Sequence, residues 1–150
     1  MASRAPIDRF FDSEAFAVIG VSADRKKFGN TVFRNMRDAG LTVFPVHPTL
    51  ESVEGETCYH SVGELPVEVK SVVTVVPPTQ TERAVPACAE RGVTSVWMQP
   101  GSSSAHALDA ARAAGMTVVD GQCILMFLEP VQSIHKVHRW INKAVGAYPR

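Results

Sequence analysis

Three stretches of this sequence are apolar enough to form strands that are covered on both faces, and they constrain the fold most. Residues 15–21, 41–46 and 71–76 consist mainly of valine, isoleucine, alanine, leucine and phenylalanine. Two shorter stretches of this kind follow at 95–98 and 117–119. Strands without a polar face are typical of parallel sheets with helices on both sides. The pattern therefore predicts a parallel sheet of five strands.

Segments with helical spacing separate most of these strands. The main ones are 30–39, 80–91 and 104–114, and each is followed by a glycine that can end a helix. A short leading helix at 7–11, an extra strand at 55–59 and a helical turn at 62–65 complete the pattern. Strand–helix alternation predicts a three-layer Rossmann-like α/β domain. We expect the strand order 3-2-1-4-5 and a ligand at the carboxyl ends of the strands, where the order reverses.

The chain length of 150 residues predicts one domain over residues 1–150, with a core at about 15–123 and a C-terminal extension at about 124–150. Apolar residues recur at helical spacing in the extension and predict an amphipathic helix. Such a helix either covers a sheet edge or pairs with a second copy, which makes a homodimer possible. The residues are Val131, Ile134, His138, Ile141 and Val145.

Composition and charge exclude several classes of function. The formal net charge of +0 indicates no general attraction to nucleic acid or to an anionic membrane. The apolar run at 124–128 is too short to span a bilayer, and residues 1–15 lack the apolar segment of a signal peptide. Three cysteines without C-x-x-C spacing are typical of a reduced protein. We therefore expect a cytoplasmic location.

The loop that follows the first predicted strand has the features of a phosphate site. In VIGVSADRKKFGN, residues 18–30, Gly20 permits a sharp turn and Ser22 offers a hydroxyl donor. Phe28, Gly29 and Asn30 open the next helix, whose free N–H groups and dipole favour an anion. Lys26 and Lys27 add positive charge. The alternative is a surface turn with solvated lysines.

The loops after the second and third strands bear on which ligand is bound. An NAD site usually has a carboxylate after the second strand, but here the segment is VFPVHP and no carboxylate precedes Glu51. Val76-Pro77-Pro78 predicts a rigid apolar surface that suits adenine, or else simply the end of a strand. Gln99, after the fourth strand, is either a ligand contact or a turn residue.

No catalytic constellation or metal site is evident, so we expect no catalytic residue and no metal ligand. G-x-S-x-G is absent. Cys123 follows the fifth strand, but a nearby carboxylate at Asp120 disfavours its thiolate. His135 and His138 have a spacing that can hold a metal, yet no third ligand is near in sequence. Whether the chain is an enzyme stays open, with binding favoured over catalysis.

Taken together, these segments resemble a known family. The ordered set VIGVSADRKKFGN, VFPVHP, Gly55-Glu56 with Tyr59, VTVVPP, VWMQPG and ARAAGMTVVDGQC is similar to the stand-alone CoA-binding domain proteins. Their Rossmann-like domain also begins the alpha subunit of succinyl-CoA synthetase. The resemblance covers roughly residues 16–123. The family usually has Asn-Pro where this chain has His47-Pro48. The synthetase also uses a phosphorylated histidine on a further domain, and no histidine of this chain lies in a segment that resembles that domain.

The resemblance implies a coenzyme A site across the carboxyl ends of the strands. Two groups of residues match the family's binding segments. Those at the phosphates are Gly20, Val21, Ser22, Lys26, Lys27, Phe28, Gly29 and Asn30. Those around the adenosine are Val46, His47, Pro48, Val76, Pro77 and Pro78.

The leading hypothesis is a module that binds CoA or an acyl-CoA without catalysis, and that has no nucleic-acid or membrane partner. One alternative is an NAD(P)-binding enzyme, which needs a carboxylate or an arginine after the second strand. The other is a scaffold or interaction module that docks a partner through the C-terminal helix.

Overall fold

The computed structural model describes residues 4–128, and its helices and strands alternate as the sequence predicts. In chain order they are α1 (Arg4–Phe11), β1 (Ala15–Ile19), α2 (Phe28–Asp38), β2 (Val43–Val46), β3 (Ser52–Val53), β4 (Glu56–Thr57), β5 (Val69–Thr74), α3 (Pro78–Arg91), β6 (Ser95–Met98), α4 (Ala105–Ala113) and β7 (Thr117–Asp120). Short 3-10 helices lie at Val62–Glu64 and Ile124–Phe127. The predicted C-terminal helix and the pair His135 and His138 lie outside the described residues.

Five of the strands form one parallel sheet in the order β2-β1-β5-β6-β7. The Rossmann-like α/β class and the five parallel strands are confirmed. The predicted order 3-2-1-4-5 is wrong. The third main strand, β5, pairs with β1 instead of lying beyond β2, so the order of the five is 2-1-3-4-5. The predicted extra strand is part of a separate antiparallel hairpin of β3 and β4.

Pro45 gives the physical reason why β2 lies at the edge of the sheet. Proline has no N–H to donate to a neighbouring strand, so it is confined to edge strands and strand ends. Pro45 pairs with Val18 of β1, while its carbonyl accepts from the Tyr59 N–H at 2.9 Å. The predicted order would have placed β2 inside the sheet, where this proline would interrupt a ladder of hydrogen bonds.

Side chains that alternate along the central strands build two cores, one on each face of the sheet. Phe16, Val18, Val73 and Trp97 are buried on the face that is covered by α1 and α2. Ala17, Val72, Val96 and Met98 are buried on the face that is covered by α3 and α4. This period of two on strands without a polar face explains the apolar runs of the sequence.

Within residues 4–128, no helix has both the length and the apolar character that crossing a membrane requires.

Candidate functional site

The winding of the chain reverses between β1 and β5. From β1 the chain passes through α2 to β2 on one side, and from β5 it passes through α3 to β6 on the other. Such a reversal opens a crevice at the carboxyl ends of the strands. An open cleft of about 980 Å³ lies there. Because the strand order differs from the predicted one, the loop after β6 takes no part in it.

Most of the predicted site residues line this cleft. They are Gly20, Val21, Ser22, Lys27, Phe28, Gly29, Val46, His47, Pro48, Val76 and Pro77. Three predicted residues do not line it: Lys26 is exposed elsewhere, Asn30 is buried behind the cleft, and Pro78 is the first residue of α3. The structure thus brings together the loops after β1, β2 and β5, which are distant in sequence.

The three basic residues of the loop after β1, residues 20–27, lie in different surroundings. Arg25 pairs with Glu54, at 3.0 Å from Nε to Oε1. Lys26 lies on the exposed surface outside the cleft, and its backbone N–H donates to Asp24 at 2.9 Å. Lys27 lines the cleft directly before α2. The structure therefore distinguishes two adjacent lysines that the sequence left equivalent.

Two glycines allow β1 and α2 to approach closely below the cleft. A Cβ atom on Gly29 would lie 2.0 Å from the carbonyl oxygen of Gly20 and 2.6 Å from its carbonyl carbon. Gly20 has a φ of +126°, and a Cβ there would lie 2.3 Å from the carbonyl oxygen of Val75. The atoms that a Cβ at either position would approach most closely belong to the protein backbone, so the fold itself requires glycine there.

The first turn of α2 presents hydrogen-bond donors at the cleft. The helix begins at Phe28, and the preceding Lys27 makes no side-chain cap. The backbone N–H groups of Phe28 and Gly29 have no hydrogen-bond partner among residues 4–128. Unpaired N–H groups at a helix start, together with the helix dipole, stabilise a bound anion. Lys27 adds a full positive charge beside them.

Asn30 and Glu54 form a buried polar network behind the loop 20–27. The amide of Asn30 brackets Ser22: its Oδ1 accepts from the Ser22 N–H and its Nδ2 donates to the Ser22 carbonyl, both at 2.8 Å. Nδ2 also donates to Glu54 at 3.0 Å. Burial alone would raise the pKa of Glu54, but hydrogen bonds from Asn30, Arg34 and Arg25 hold that pKa below its usual value. Sequence reasoning missed Glu54, which lies far from the loop along the chain.

The opposite side of the cleft, residues 75–77, is fixed by buried hydroxyl groups. Ser102 Oγ donates to Thr74 Oγ1 at 2.9 Å, lies 2.7 Å from Thr81 Oγ1, and accepts from the Val76 N–H at 3.4 Å. Thr74 and Thr81 are fully buried. The cluster joins the end of β5, the first turns of α3 and the loop after β6. It thereby holds the apolar residues Val76 and Pro77 in place.

His47 stabilises its own loop in the way that an asparagine would. Its Nδ1 accepts from the backbone N–H groups of Thr49 at 3.1 Å and Leu50 at 3.2 Å. These bonds require Nδ1 to be unprotonated, so the proton of the neutral ring is on Nε2. His47 thus supplies the side-chain acceptor of its own turn, as asparagine and aspartate commonly do.

The cleft contains residues that sequence reasoning missed. Arg83 lies on α3 at the cleft and has no ion-pair partner among the described residues. Gln80, Ala84 and Ala87 lie on the same face of that helix. These residues recur at helical spacing directly after Pro77, so they share one face of α3. The sequence shows that spacing, but it indicates a role at the cleft only when the third strand is known to lie beside the first. His60, Ser61 and Val62 also line the cleft.

Three residues with candidate chemistry, Gln99, Cys58 and Cys88, are buried in the core and do not line the cleft. Gln99 is buried; its Oε1 accepts from the Ile124 N–H at 2.7 Å and its Nε2 donates to Cys123 Sγ at 3.5 Å. Burial raises the pKa of Cys88 to about 12 and also raises the pKa of Cys58. No group of three side chains in the described part of the chain is arranged to hold a metal ion.

Comparison with known proteins identifies the family. A family model described as a CoA binding domain matches residues 14–129, most of the chain. The chain belongs to this CoA-binding family. The alpha subunit of acetate–CoA ligase [ADP-forming] II from Pyrococcus furiosus is 41% identical over 91 residues, which are 60% of this chain and 20% of the subunit. This chain therefore matches about a fifth of the length of that relative.

Solved structures share the fold over most of the chain. A conserved hypothetical protein from Pyrococcus furiosus has a TM-score of 0.72 and 34% identity, covering 75% of this chain and 97% of that one. The dinucleotide-forming acetyl-coenzyme A synthetase 1 of Candidatus Korarchaeum cryptofilum has a TM-score of 0.66 and 28% identity, covering 75% of this chain and 27% of that one. The family thus occurs both as a domain of about this size and within much longer synthetases.

Proposed function

We propose that the cleft binds coenzyme A or an acyl-CoA, and that the described residues bind this ligand without transforming it. One observation carries the proposal: in a member of the CoA-binding family, the cleft has anion-binding groups on one side and an apolar surface, residues 75–77, on the other. The anion-binding groups are Lys27 and the backbone N–H groups of Phe28 and Gly29, which have no partner among residues 4–128. CoA combines both requirements, because its diphosphate lies between an adenosine and an uncharged pantetheine arm.

The diphosphate is assigned to the loop 20–27 and the first turn of α2. Ser22 supports this assignment: its Oγ accepts from the Asp24 N–H at 3.1 Å, which leaves the hydroxyl proton for a ligand oxygen. The adenosine is assigned to the region between the β2 and β5 loops. Val46, Pro48, Val76 and Pro77 offer apolar surface there, and few polar groups compete with a stacked base.

NAD(P) is disfavoured by the loop after β2. The residues that line the cleft there are Val46, His47 and Pro48, and none of them is a carboxylate that could accept from ribose hydroxyls. The Nδ1 of His47 already accepts two backbone N–H groups. The alternative of a scaffold that docks a partner depends on the predicted C-terminal helix, which lies beyond the described residues.

Catalysis is not proposed, because the match to the ligase subunit is confined to a fifth of its length. Within the described residues, the polar side chains of the cleft include serine, lysine, histidine, glutamine and arginine. Among these residues, no hydrogen bond joins a serine to a histidine or to another base, as the activation of a nucleophile requires.

Thermal unfolding with CoA, acetyl-CoA, dephospho-CoA, NAD and NADP tests the proposal. A ligand present at a hundred times its dissociation constant adds about 2.7 kcal/mol to the free energy of unfolding. We expect CoA and acetyl-CoA to raise the midpoint by several degrees and NAD to leave it unchanged. Stabilisation by NAD without stabilisation by CoA would refute the proposal. No stabilisation by any of the five, with a stable dimer or complex in light scattering, would favour the scaffold.

A further inference from the structure

A buried carboxylate lies behind the loop 20–27, outside the cleft. The side chain of Glu54 is 1% exposed, although the residue lies at the tip of the β3–β4 hairpin. It accepts hydrogen bonds from Arg25 Nε at 3.0 Å, Asn30 Nδ2 at 3.0 Å and Arg34 at 2.6 Å. All three donors belong to this loop or to α2, so one carboxylate joins the hairpin to both.

Glu54 fixes the orientation of the Asn30 side chain. An ionised carboxylate only accepts hydrogen bonds, so the Nδ2 of Asn30 has to face it. Oδ1 is then directed to the Ser22 N–H, and Nδ2 also reaches the Ser22 carbonyl, both at 2.8 Å. Arg34 adds a second connection, because it donates to the Arg25 carbonyl at 3.1 Å as well as to Glu54. The backbone at both Ser22 and Arg25 is therefore held through this network.

The backbone of Glu54 adopts a conformation that is unfavourable for its residue type. Its φ is +53°, and it is the one non-glycine residue with positive φ in the described part of the chain. Glu54 and Gly55 form the two-residue turn of the hairpin, a position that favours asparagine, aspartate or glycine. Arg37 donates to the Glu54 carbonyl at 2.7 Å and supports this turn. A strained residue that makes three charged hydrogen bonds suggests a functional constraint.

We propose that Glu54 is a positioning residue for the cleft. Through Asn30, Arg25 and Arg34 it holds the loop 20–27 and the start of α2 in the conformation that presents Lys27 and the N–H groups of Phe28 and Gly29 to an anion. It also pairs with the positive charges of Arg25 and Arg34, which leaves Lys27 as the cation on this side of the cleft. The identity of the anion as a CoA diphosphate rests on the proposed function, whereas the effect on loop conformation does not.

Glu54→Gln tests this proposal, with Glu56→Gln as the matched control. Both substitutions remove one negative charge from the same hairpin, but Glu56 is half exposed and contacts Arg37 at 3.6 Å instead of the loop. Two quantities are measured on each folded protein: amide hydrogen exchange of residues 20–30 without ligand, and CoA affinity by calorimetric titration. If the loop of the Glu54→Gln variant adopts the binding conformation in only about one molecule in ten, the apparent affinity of that variant for CoA falls about tenfold.

We expect Glu54→Gln to accelerate exchange of the Ser22 amide and to weaken CoA binding about tenfold, equivalent to about 1.4 kcal/mol. Glu56→Gln should change the affinity less than about twofold, because an exposed pair contributes little. Lower stability of Glu54→Gln with unchanged exchange in the loop and unchanged affinity would show a purely structural role and overturn the proposal. Faster exchange with unchanged affinity would overturn it as well.

A second variant covers the case in which Glu54→Gln does not fold. Arg34→Met removes one donor to Glu54 and the bond to the Arg25 carbonyl, while Asn30 and Arg25 still contact Glu54. We expect Arg34→Met to accelerate exchange of the Ser22 amide and to weaken CoA binding, each to a smaller extent than Glu54→Gln. If the unaltered protein does not bind CoA at all, the proposed function fails, and loop exchange in the variants still decides whether Glu54 positions the loop.

Discussion

The two sides of the cleft are held by different kinds of interaction. Behind the loop 20–27 lies the Glu54 network, in which Arg25 is largely exposed and Glu54 is not. Behind residues 75–77 lies a cluster of three buried hydroxyls at Thr74, Thr81 and Ser102. The first joins a surface hairpin to a helix start, whereas the second lies where β5, α3 and the loop after β6 meet.

This difference separates local from global effects of substitution. The hydrogen bonds of a hydroxyl cluster that is buried between sheet and helix break only when the whole domain unfolds. Removing one of these hydroxyls should therefore lower the free energy of unfolding of the domain. The Glu54 network is peripheral and can open while the sheet stays intact, so its loss should act mainly on the loop. The cleft thus has an apolar side, residues 75–77, which we expect to be rigid, and a polar side, the loop 20–27. The conformation of the polar side depends on charged hydrogen bonds.

The largest expected effect concerns the glycine contact below the polar side. Gly29→Ala would place a Cβ atom 2.0 Å from the backbone oxygen of Gly20, which cannot move aside as a flexible side chain can. We expect a loss of at least about 3 kcal/mol in the free energy of unfolding, at the upper end of overpacking effects. Urea denaturation measures it. Gly63→Ala is the control, because its Cβ would meet only Ser61 Oγ, at 3.7 Å.

A ligand-only role for Gly29 would give a different outcome: the alanine variant would be as stable as the Gly63 control and would lose only CoA affinity. That result would show that α2 can shift away from β1 at little cost, and that the glycine serves phosphate approach after all.

The next effect concerns the apolar side. Ser102→Ala removes a hydroxyl and leaves Thr74, Thr81 and the Val76 N–H without this partner in a buried site. An unsatisfied buried polar group costs about 1–3 kcal/mol, and we expect a loss of stability in that range. Ser103→Ala, at the adjacent and less buried position, should change stability by less than about 0.5 kcal/mol. Equal effects of the two substitutions would contradict a structural role for the cluster.

The two lysines of the loop 20–27 allow a direct test of the polar side. Lys27→Ala should weaken CoA binding by about tenfold, since a hydrogen bond to a charged group contributes about 1.5–3 kcal/mol and partial exposure reduces this. Lys26→Ala should leave the affinity nearly unchanged, because Lys26 lies outside the cleft. Neither substitution should alter stability without ligand. Calorimetric titration compares them, and the reverse ranking of the lysines would show that the cleft is wrongly assigned.

The smallest expected effect concerns Arg83, the cation on the α3 side of the cleft. Arg83→Ala should weaken CoA binding by about threefold, equivalent to about 0.6 kcal/mol, because an exposed arginine is screened by solvent. The matched control is Arg112→Ala, on the exposed surface of α4. The difference in affinity between the two should shrink as the salt concentration rises. An affinity of Arg83→Ala equal to that of the control would restrict anion binding to the polar side.

Much of the lining of the cleft was predictable, because the sequence carries it in short contiguous segments. Gly20, Ser22, Lys27 and Gly29 lie within one loop and helix start, and Val76 and Pro77 end one strand. Once these strands are parallel neighbours, their carboxyl ends meet at one edge of the sheet. Arg83 and Glu54 were not predictable in this way, because each reaches the site through pairing of elements that are distant along the chain.

The amino-acid sequence alone was enough to predict the α/β class, the five parallel strands, the helices between them and the segments that line the cleft, because these depend on local apolar periodicity and turn residues. Three features depend on tertiary packing instead: β5 lies beside β1, Lys27 and not Lys26 lines the cleft, and Glu54 contacts Asn30. Strand order depends on which edges pair across the whole sheet, and side-chain direction depends on partners that only folding brings near. Pro45 illustrates the difference: a proline within a strand was evident in the sequence, but only the structure showed that it places β2 at the edge of the sheet.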